Sequence, residues 1–118
     1  MFNFEKLETW HEAIHFADLV YQLTRSFPTE ERFGLTNQMR RAAVSISSNV
    51  AEGCSRSSRV DYARFVEIAT GSVFEVVSQA TIGRNQGFLT EAHYLQLYQA
   101  AEKQSRMLSG LRKSLESA

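Results

Sequence analysis

Residues 35–53 read LTNQMRRAAVSISSNVAEG, and the spacing of the apolar positions in this stretch indicates how the chain folds. Apolar side chains recur every three or four positions, which brings them to one face of an α-helix. Gly53 then supplies a residue that favours the left-handed turn at which many helices end. We therefore predict a helix from Leu35 to Glu52, whose inward residues are Leu35, Met39, Ala42, Ala43, Ile46 and Val50.

Another helix is predicted on the N-terminal side, from about Leu7 to Phe27, and its apolar residues form two separate strips. It ends before Pro28, the only proline of the chain, because proline interrupts helical hydrogen bonding. One strip at helical spacing is expected to face inward, and it consists of Trp10, Ala13, Ile14, Ala17, Val20, Tyr21 and Thr24.

Two further helices are predicted on the C-terminal side. The third begins after a cap at Ser57 or Ser58 and ends near Gln86, and the fourth begins after a cap at Thr90. No segment alternates with the two-residue period of a strand. Short connections make successive helices antiparallel, so we expect one all-α domain over residues 1–118, an antiparallel up-and-down four-helix bundle. The inward stripes are Tyr62, Phe65, Val66, Ala69, Val73, Val76 and Ala80 in the third helix and Leu97, Ala101, Gln104, Leu108, Leu111 and Leu115 in the fourth.

The composition indicates a soluble, cytoplasmic protein. The chain has 13 basic and 13 acidic residues, so its formal net charge is zero and gives no general signal for nucleic acid or membrane. Cys54 is the only cysteine, which rules out an internal disulfide and favours a reducing compartment. We find no signal peptide and no run of the roughly 20 apolar residues that a membrane span requires.

Apolar residues also lie on the side of the first two helices that this bundle would turn to water. Contiguous exposed apolar surface usually marks a partner site. We therefore predict a homo-oligomer, although isolated apolar residues at a surface also occur without a function. The predicted interface residues are Phe16, Leu19, Leu23, Val44, Ser48 and Ala51. Phe74 of the third helix also points away from the inward stripe of its own helix.

The sequence His11-Glu12-Ala13-Ile14-His15 matches the H-E-x-x-H pattern of zinc hydrolases. Such a site needs a third protein ligand, and the only other histidine, His93, lies far along the chain. A solvated or interface histidine pair explains the pattern better. We predict no catalytic site, no metal and no cofactor, and keep a metal-dependent hydrolase as a remote alternative.

Charge is distributed unevenly along this neutral chain. Residues 1–31 carry six acidic residues and two basic ones, whereas residues 32–64 carry six arginines and two acidic residues. Arginine suits bidentate contacts with phosphate and carboxylate. The candidate nucleic-acid residues are Arg40, Arg41, Arg56 and Arg59. In one interpretation they bind phosphates; in the other, which the residues favour, they pair with the acidic first helix within a subunit or across an interface.

Several segments resemble the bacterial four-helix-bundle family named for proteins encoded in intervening sequences of 23S ribosomal RNA genes. The segments span nearly the whole chain, and residues 40–53 are the most specific of them. They are Trp10-x-x-Ala13, Val20-Tyr21-x-Leu23-Thr24-x-x-Phe27-Pro28, Phe33-Gly34-Leu35-Thr36-x-Gln38, Arg40-Arg41-Ala42-Ala43-Val44-Ser45-Ile46-x-Ser48-Asn49-Val50-Ala51-Glu52-Gly53, Ala69-x-Gly71-Ser72-x-x-Glu75 and Met107-Leu108-x-Gly110-Leu111.

The resemblance implies an antiparallel four-helix bundle that assembles as a homopentamer and has no known enzymatic activity. The family is also similar to the accessory protein of diversity-generating retroelements, a basic pentamer that binds nucleic acid and a reverse transcriptase. It therefore implies RNA, DNA or a nucleic-acid enzyme as partner. This chain departs from the pattern in two ways: it is neutral, and His11, Glu12 and His15 lie outside the family's pattern.

The leading functional hypothesis is a non-enzymatic, oligomeric helical-bundle protein associated with nucleic acid. The alternative is a scaffold that binds another protein without nucleic acid, in which the arginines form only ion pairs at interfaces.

Overall fold

The structure, a computed structural model, describes residues 1–116. Over these residues it contains four α-helices and no strand, which confirms the predicted all-α class. The helices are α1 (Glu8–Thr24), α2 (Leu35–Cys54), α3 (Arg59–Asn85) and α4 (Glu91–Glu116). Short 3₁₀ turns at Asn3–Lys6 and Thr29–Glu31 precede α1 and α2.

The four helices close into a bundle in chain order. Each helix packs against its neighbours, α1 on α2, α2 on α3, α3 on α4 and α4 on α1, and within the described residues the Cα atoms of diagonal helices stay more than 8 Å apart. The bundle measures 46 × 22 × 21 Å, about the length of one helix and the width of two.

The core is built from the stripes that the sequence predicts for α2, α3 and α4. All six inward residues of α2 are buried, as are Val66, Val73 and Val76 of α3. In α4 the seam includes Gln104, which is fully buried and whose Nε2 donates to the backbone oxygen of Thr9 at 3.3 Å. The α4 heptad therefore packs against α1 with one polar side chain inside it.

The predicted face of α1 needs a correction. Phe16 is only 1% exposed and Leu23 only 5%, so the expectation that one subunit leaves them in water is wrong. Tyr21, predicted to point inward, is 39% exposed. Because α1 packs against both α2 and α4, the buried face is centred between the two apolar strips and takes residues from each. Ala13, Ala17, Val20 and Thr24 are buried as predicted.

The ends of α3 follow the predicted capping chemistry. Of the two candidate serines, Ser58 is the cap, because its Oγ accepts a hydrogen bond from the backbone N–H of Asp61 at 3.1 Å. At the other end Gly87 takes φ of +81°, and the N–H of Phe88 donates to the oxygen of Gly83 at 2.8 Å. Thr90 caps α4 through the N–H of His93, as predicted.

Gly53 does not stop α2, so that prediction is wrong. The helix continues through it to Cys54, and Gly87 is the one residue among 1–116 with positive φ. A Cβ on Gly53 would lie 2.9 Å from Cδ1 of Tyr62 and 3.1 Å from Cβ of Phe65. Glycine is therefore explained at this position by the close approach of α3 to α2.

Within the described part of the chain, no helix combines the length and the apolar character that a membrane crossing demands.

Candidate nucleic-acid interface

The outer side of the α1–α2 corner carries a groove of about 580 Å³ that is rich in arginine. Three of its nine lining residues are arginines, Arg32, Arg40 and Arg41, and none is acidic. We call it the arginine groove. In a chain of zero net charge, it concentrates positive charge at one place. The remaining lining residues are Tyr21, Phe33, Thr36, Asn37, Val44 and Ser45.

Arg40 is held in place by α1. Its Nε donates to Oγ1 of Thr24 at 3.0 Å, and its Nη2 donates to the backbone oxygen of Tyr21 at 3.5 Å. Its guanidinium also lies over the ring of Tyr21, 4.6 Å from the centroid. Guanidinium has five N–H donors, so these bonds fix the side chain and leave further donors for a ligand.

Arg32 and Phe33 form a second pair of cation and ring. The guanidinium of Arg32 lies 5.1 Å from the ring centroid of Phe33, which is 84% exposed. Exposed aromatic rings with arginine beside them are the combination that binds unpaired nucleotides by stacking and charge. The nearby carboxylate of Glu31 is engaged in capping, because its Oε1 accepts from the N–H of Leu35 at 3.1 Å.

The other two candidate arginines, Arg56 and Arg59, lie elsewhere, at the α2–α3 corner. Arg56 is paired with Glu52 at 2.7 Å and covers the ring of Phe65 at 4.6 Å. Arg59 lines a groove of about 660 Å³ together with Glu67 and Glu116. The structure therefore separates the four predicted residues into two groups, and only the α2 pair lies in a groove free of acidic lining.

The predicted pairing of these arginines with the acidic first helix does not occur within the described subunit. Glu12 pairs with Lys103 of α4 at 3.0 Å instead. Arg40 contacts α1 through a hydroxyl, a carbonyl and a ring. Arg41 makes no ion pair or hydrogen bond with any residue in 1–116.

Exposed apolar side chains occur at the predicted interface and also on another side of the bundle. Val44 and Ser48 are exposed, and Leu19 and Ala51 are half-buried. A groove of about 540 Å³ between α3 and α4 is more apolar; we call it the apolar groove. Phe74, which the sequence placed outside the core, lines it at 66% exposed. Its other lining residues are Val73, Val77, Ser78, Tyr98, Ala101, Glu102, Ser105 and Arg106.

The H-E-x-x-H residues are engaged in contacts unrelated to a metal. Nε2 of His11 lies 2.6 Å from the backbone oxygen of Glu5, and Glu12 is held by Lys103. Among residues 1–116, no three His, Cys, Asp or Glu side chains come close enough together to hold a metal ion. The carboxylate that would act as general base is paired with a cation, and the arrangement supplies no third ligand.

Cys54 contacts Tyr62 where α2 passes α3. The Sγ of Cys54 and the Oη of Tyr62 are 3.0 Å apart. Burial raises the pKa of the Tyr62 phenol above its ordinary value of 10.0, and the hydrogen bond to Cys54 raises it further. Tyr62 therefore stays neutral at physiological pH, and this contact joins the two helices without providing an acid or base for catalysis.

Tyr21, Arg32 and Phe33 supply the third cation and the two rings of the arginine groove, and the sequence prediction does not include them in the site. Tyr21 was assigned to the core, whereas Arg32 and Phe33 precede α2 and were outside any predicted helix face. The dipeptide Arg32-Phe33 was the available signal, because it lies in the connection between two predicted helices and outside both of their inward stripes.

Comparison with known proteins agrees with this architecture. A solved structure from Bacteroides thetaiotaomicron, described as a protein of unknown function from the S23 ribosomal protein family, superposes with a TM-score of 0.79. The two share 18% sequence identity, and the match covers 89% of this chain and 98% of that one, so it shows a common fold. No protein of curated function matches the chain.

The family described as 23S rRNA-intervening sequence protein matches residues 5–110, which is most of the chain. The match includes α1, α2, α3 and all of the arginine groove. On this ground the chain belongs to the 23S rRNA-intervening sequence protein family.

Proposed function

We propose that this protein is a non-enzymatic, self-assembling helical bundle that binds single-stranded RNA in the arginine groove. The observation that carries the proposal is the lining of that groove, where three arginines and two exposed aromatic rings occur without an acidic residue. Phosphates would contact the guanidinium groups, and bases would stack on Tyr21 and Phe33.

The anchoring of Arg40 supports this proposal. A free arginine loses rotamer entropy when a ligand fixes it, and that loss opposes binding. Thr24 and Tyr21 already fix Arg40 before a ligand arrives. Single-stranded nucleic acid suits the site better than a duplex, because exposed rings need unpaired bases to stack on.

Self-assembly is the second part of the proposal, and the apolar groove supports it. Phe74 lies exposed beside Val77 and Tyr98, which is the kind of surface that subunits bury against each other. Assembly through α3 and α4 leaves the arginine groove open on the opposite corner. The family resemblance adds the expectation of a homopentamer.

Binding of a fluorescent oligouridine of about 12 nucleotides, followed by anisotropy at about 50 mM salt, tests the RNA assignment. Replacing Arg32, Arg40 and Arg41 by alanine is expected to weaken binding about hundredfold, since each charge-assisted contact contributes at least about 1 kcal/mol.

The matched control removes Arg56, Arg59 and Arg64 instead, which lowers the net charge by the same amount at the α2–α3 corner. We expect this variant to lose only a few-fold in affinity. Equal losses in the two variants would indicate a general charge effect, and a larger loss in the control would move the binding site to Arg56 and Arg59.

A protein scaffold is the second candidate function, and the apolar groove is the observation that favours it. In that case a different protein would occupy the groove in place of another copy of this chain. Wild-type protein that shows no binding of oligouridine even at low salt, and a monomer mass on sedimentation, would put the scaffold ahead.

A further inference from the structure

A smaller polar cavity of about 310 Å³ lies between α2 and α3, directly beside the arginine groove. The cavity and the arginine groove share Asn37, Arg41 and Ser45. An RNA strand bound in the groove would therefore pass the opening of this cavity. Its other lining residues are Gln38, Ala42, Ser72, Glu75 and Gln79.

Ser45 and Ser72, which line the cavity, belong to a network of hydrogen bonds. Oγ of Ser45 accepts from Oγ of Ser72 at 3.0 Å and from Nδ2 of Asn49 at 2.9 Å. Nδ2 of Asn49 also donates to the backbone oxygen of Ser45 at 2.8 Å. Both acceptor positions of the Ser45 hydroxyl are occupied, so its own proton is available to a ligand.

Arg41 and Glu75 face this cavity and do not pair. Among residues 1–116, neither forms an ion pair or hydrogen bond with the other or with any third residue. A fork of donors and a pair of acceptors thus line one space without pairing with each other. Opposite charges in this position fit a ligand with acceptors on one edge and donors on the next.

Gln79, which lines the same cavity, has a side-chain oxygen that residues 1–116 leave unsatisfied. Its Oε1 is buried and has no hydrogen-bond partner within the described chain. Buried acceptors without a donor are uncommon in folded proteins and call for a physical explanation. The terminal amide of glutamine turns easily, so a ligand with N–H groups in the cavity would satisfy this oxygen.

From these contacts we propose that the cavity recognises a guanine base of the bound RNA, an inference that rests on the proposed RNA-binding function. Guanine presents O6 and N7 as adjacent acceptors, which suit the donors of Arg41, and N–H donors on its next edge, which suit Glu75 and Gln79. Adenine places its N6 amino group where guanine has O6. This group is a hydrogen-bond donor, so it cannot accept a hydrogen bond from Arg41. Uracil lacks the exocyclic amine that Glu75 would bind.

The test compares four RNAs of about 12 nucleotides, all-uridine or with a single central guanosine, adenosine or inosine, by anisotropy at about 50 mM salt. The guanosine oligomer is expected to bind about tenfold more tightly than the all-uridine and adenosine strands. Inosine, which lacks the N2 amine, is expected to lose part of that preference.

Glu75→Ala should remove the guanosine preference while all-uridine RNA binds as well as or better than before. Glu75 is exposed and unpaired, so the fold tolerates the change, which circular dichroism checks. Glu102→Ala removes one carboxylate from the apolar groove and should leave the preference intact. Equal affinities for all four RNAs, or a preference that survives both Glu75→Ala and Gln79→Ala, would overturn the guanine site.

The two proposals fail in different ways. Uridine RNA that binds through the arginines without guanosine preference overturns the guanine site and leaves RNA binding standing. Absence of binding to every strand overturns both. Free guanosine monophosphate that competes as well as the guanosine oligomer would assign the cavity to nucleotides and overturn its role in RNA recognition.

Discussion

The arginine groove and the apolar groove have nearly the same volume, about 580 and 540 Å³, but different chemistry. The first is lined by three arginines without an acid, whereas the second has one arginine, one glutamate and mainly apolar side chains. Adjacent helices of one bundle create both grooves in the same way. The backbone therefore supplies the shape, and the side chains on the outer faces decide whether a groove suits a charged strand or another protein surface.

The largest expected difference between the two grooves is in how binding at each one responds to salt concentration. Three phosphate contacts to an all-uridine strand predict that affinity falls about 20-fold between about 50 and 200 mM salt, because bound counterions are released on binding. Apolar association between subunits should hold or strengthen over the same range. Anisotropy and sedimentation velocity in one salt series measure the two responses side by side. An RNA affinity indifferent to salt would contradict the role of the arginines.

Substitution of Phe74 addresses the apolar groove alone. We expect Phe74→Glu to weaken self-association about tenfold or more, because a carboxylate would have to be buried between subunits. RNA affinity per subunit should not fall. Val60→Glu is the matched control, since Val60 also lies on α3 and is 83% exposed but does not line the groove. Unchanged assembly in the Phe74 variant would place the subunit interface on another face.

A capping variant changes stability without changing either groove. Ser58→Ala is expected to lower the free energy of unfolding by about 1 kcal/mol, because the N–H of Asp61 loses its acceptor. Urea denaturation of this variant and of Ser57→Ala, which should change little, measures the difference. RNA binding and assembly at low temperature should match the wild type. Loss of either function in Ser58→Ala would show that the grooves depend on global stability.

Helix faces were predictable wherever a helix has one apolar stripe. In α2 the six predicted inward residues are all buried. Polar residues occupy most of the other positions of this helix, so only one face is apolar. In α1 apolar residues occur on two strips, and periodicity alone does not choose between them. Packing against both α2 and α4 buried Phe16 and Leu23 and left Tyr21 outside. For that reason the predicted exposure of Phe16 and Leu23 is wrong, and Leu19 is the residue of the predicted α1 interface that stays half-buried.

The candidate site was predictable only in part. Arg40 and Arg41 were identified because arginine is concentrated in one segment of a neutral chain. Their neighbours Tyr21 and Thr24 are 16 or more positions away in sequence and meet Arg40 only after α1 and α2 pack. Likewise, Arg41 and Glu75 belong to different helices, so no local pattern indicates that they line one cavity.

The sequence by itself determined four helices, most of their breaks, a common core and a cluster of arginines near α2. These features depend on the helical repeat and on local turn chemistry, which neighbouring residues specify. Only the tertiary structure decided which strip of α1 is buried, why Gly53 is a glycine, and which side chains share a groove. The physical reason is that such contacts join residues distant in sequence, and helix packing sets the distances between them.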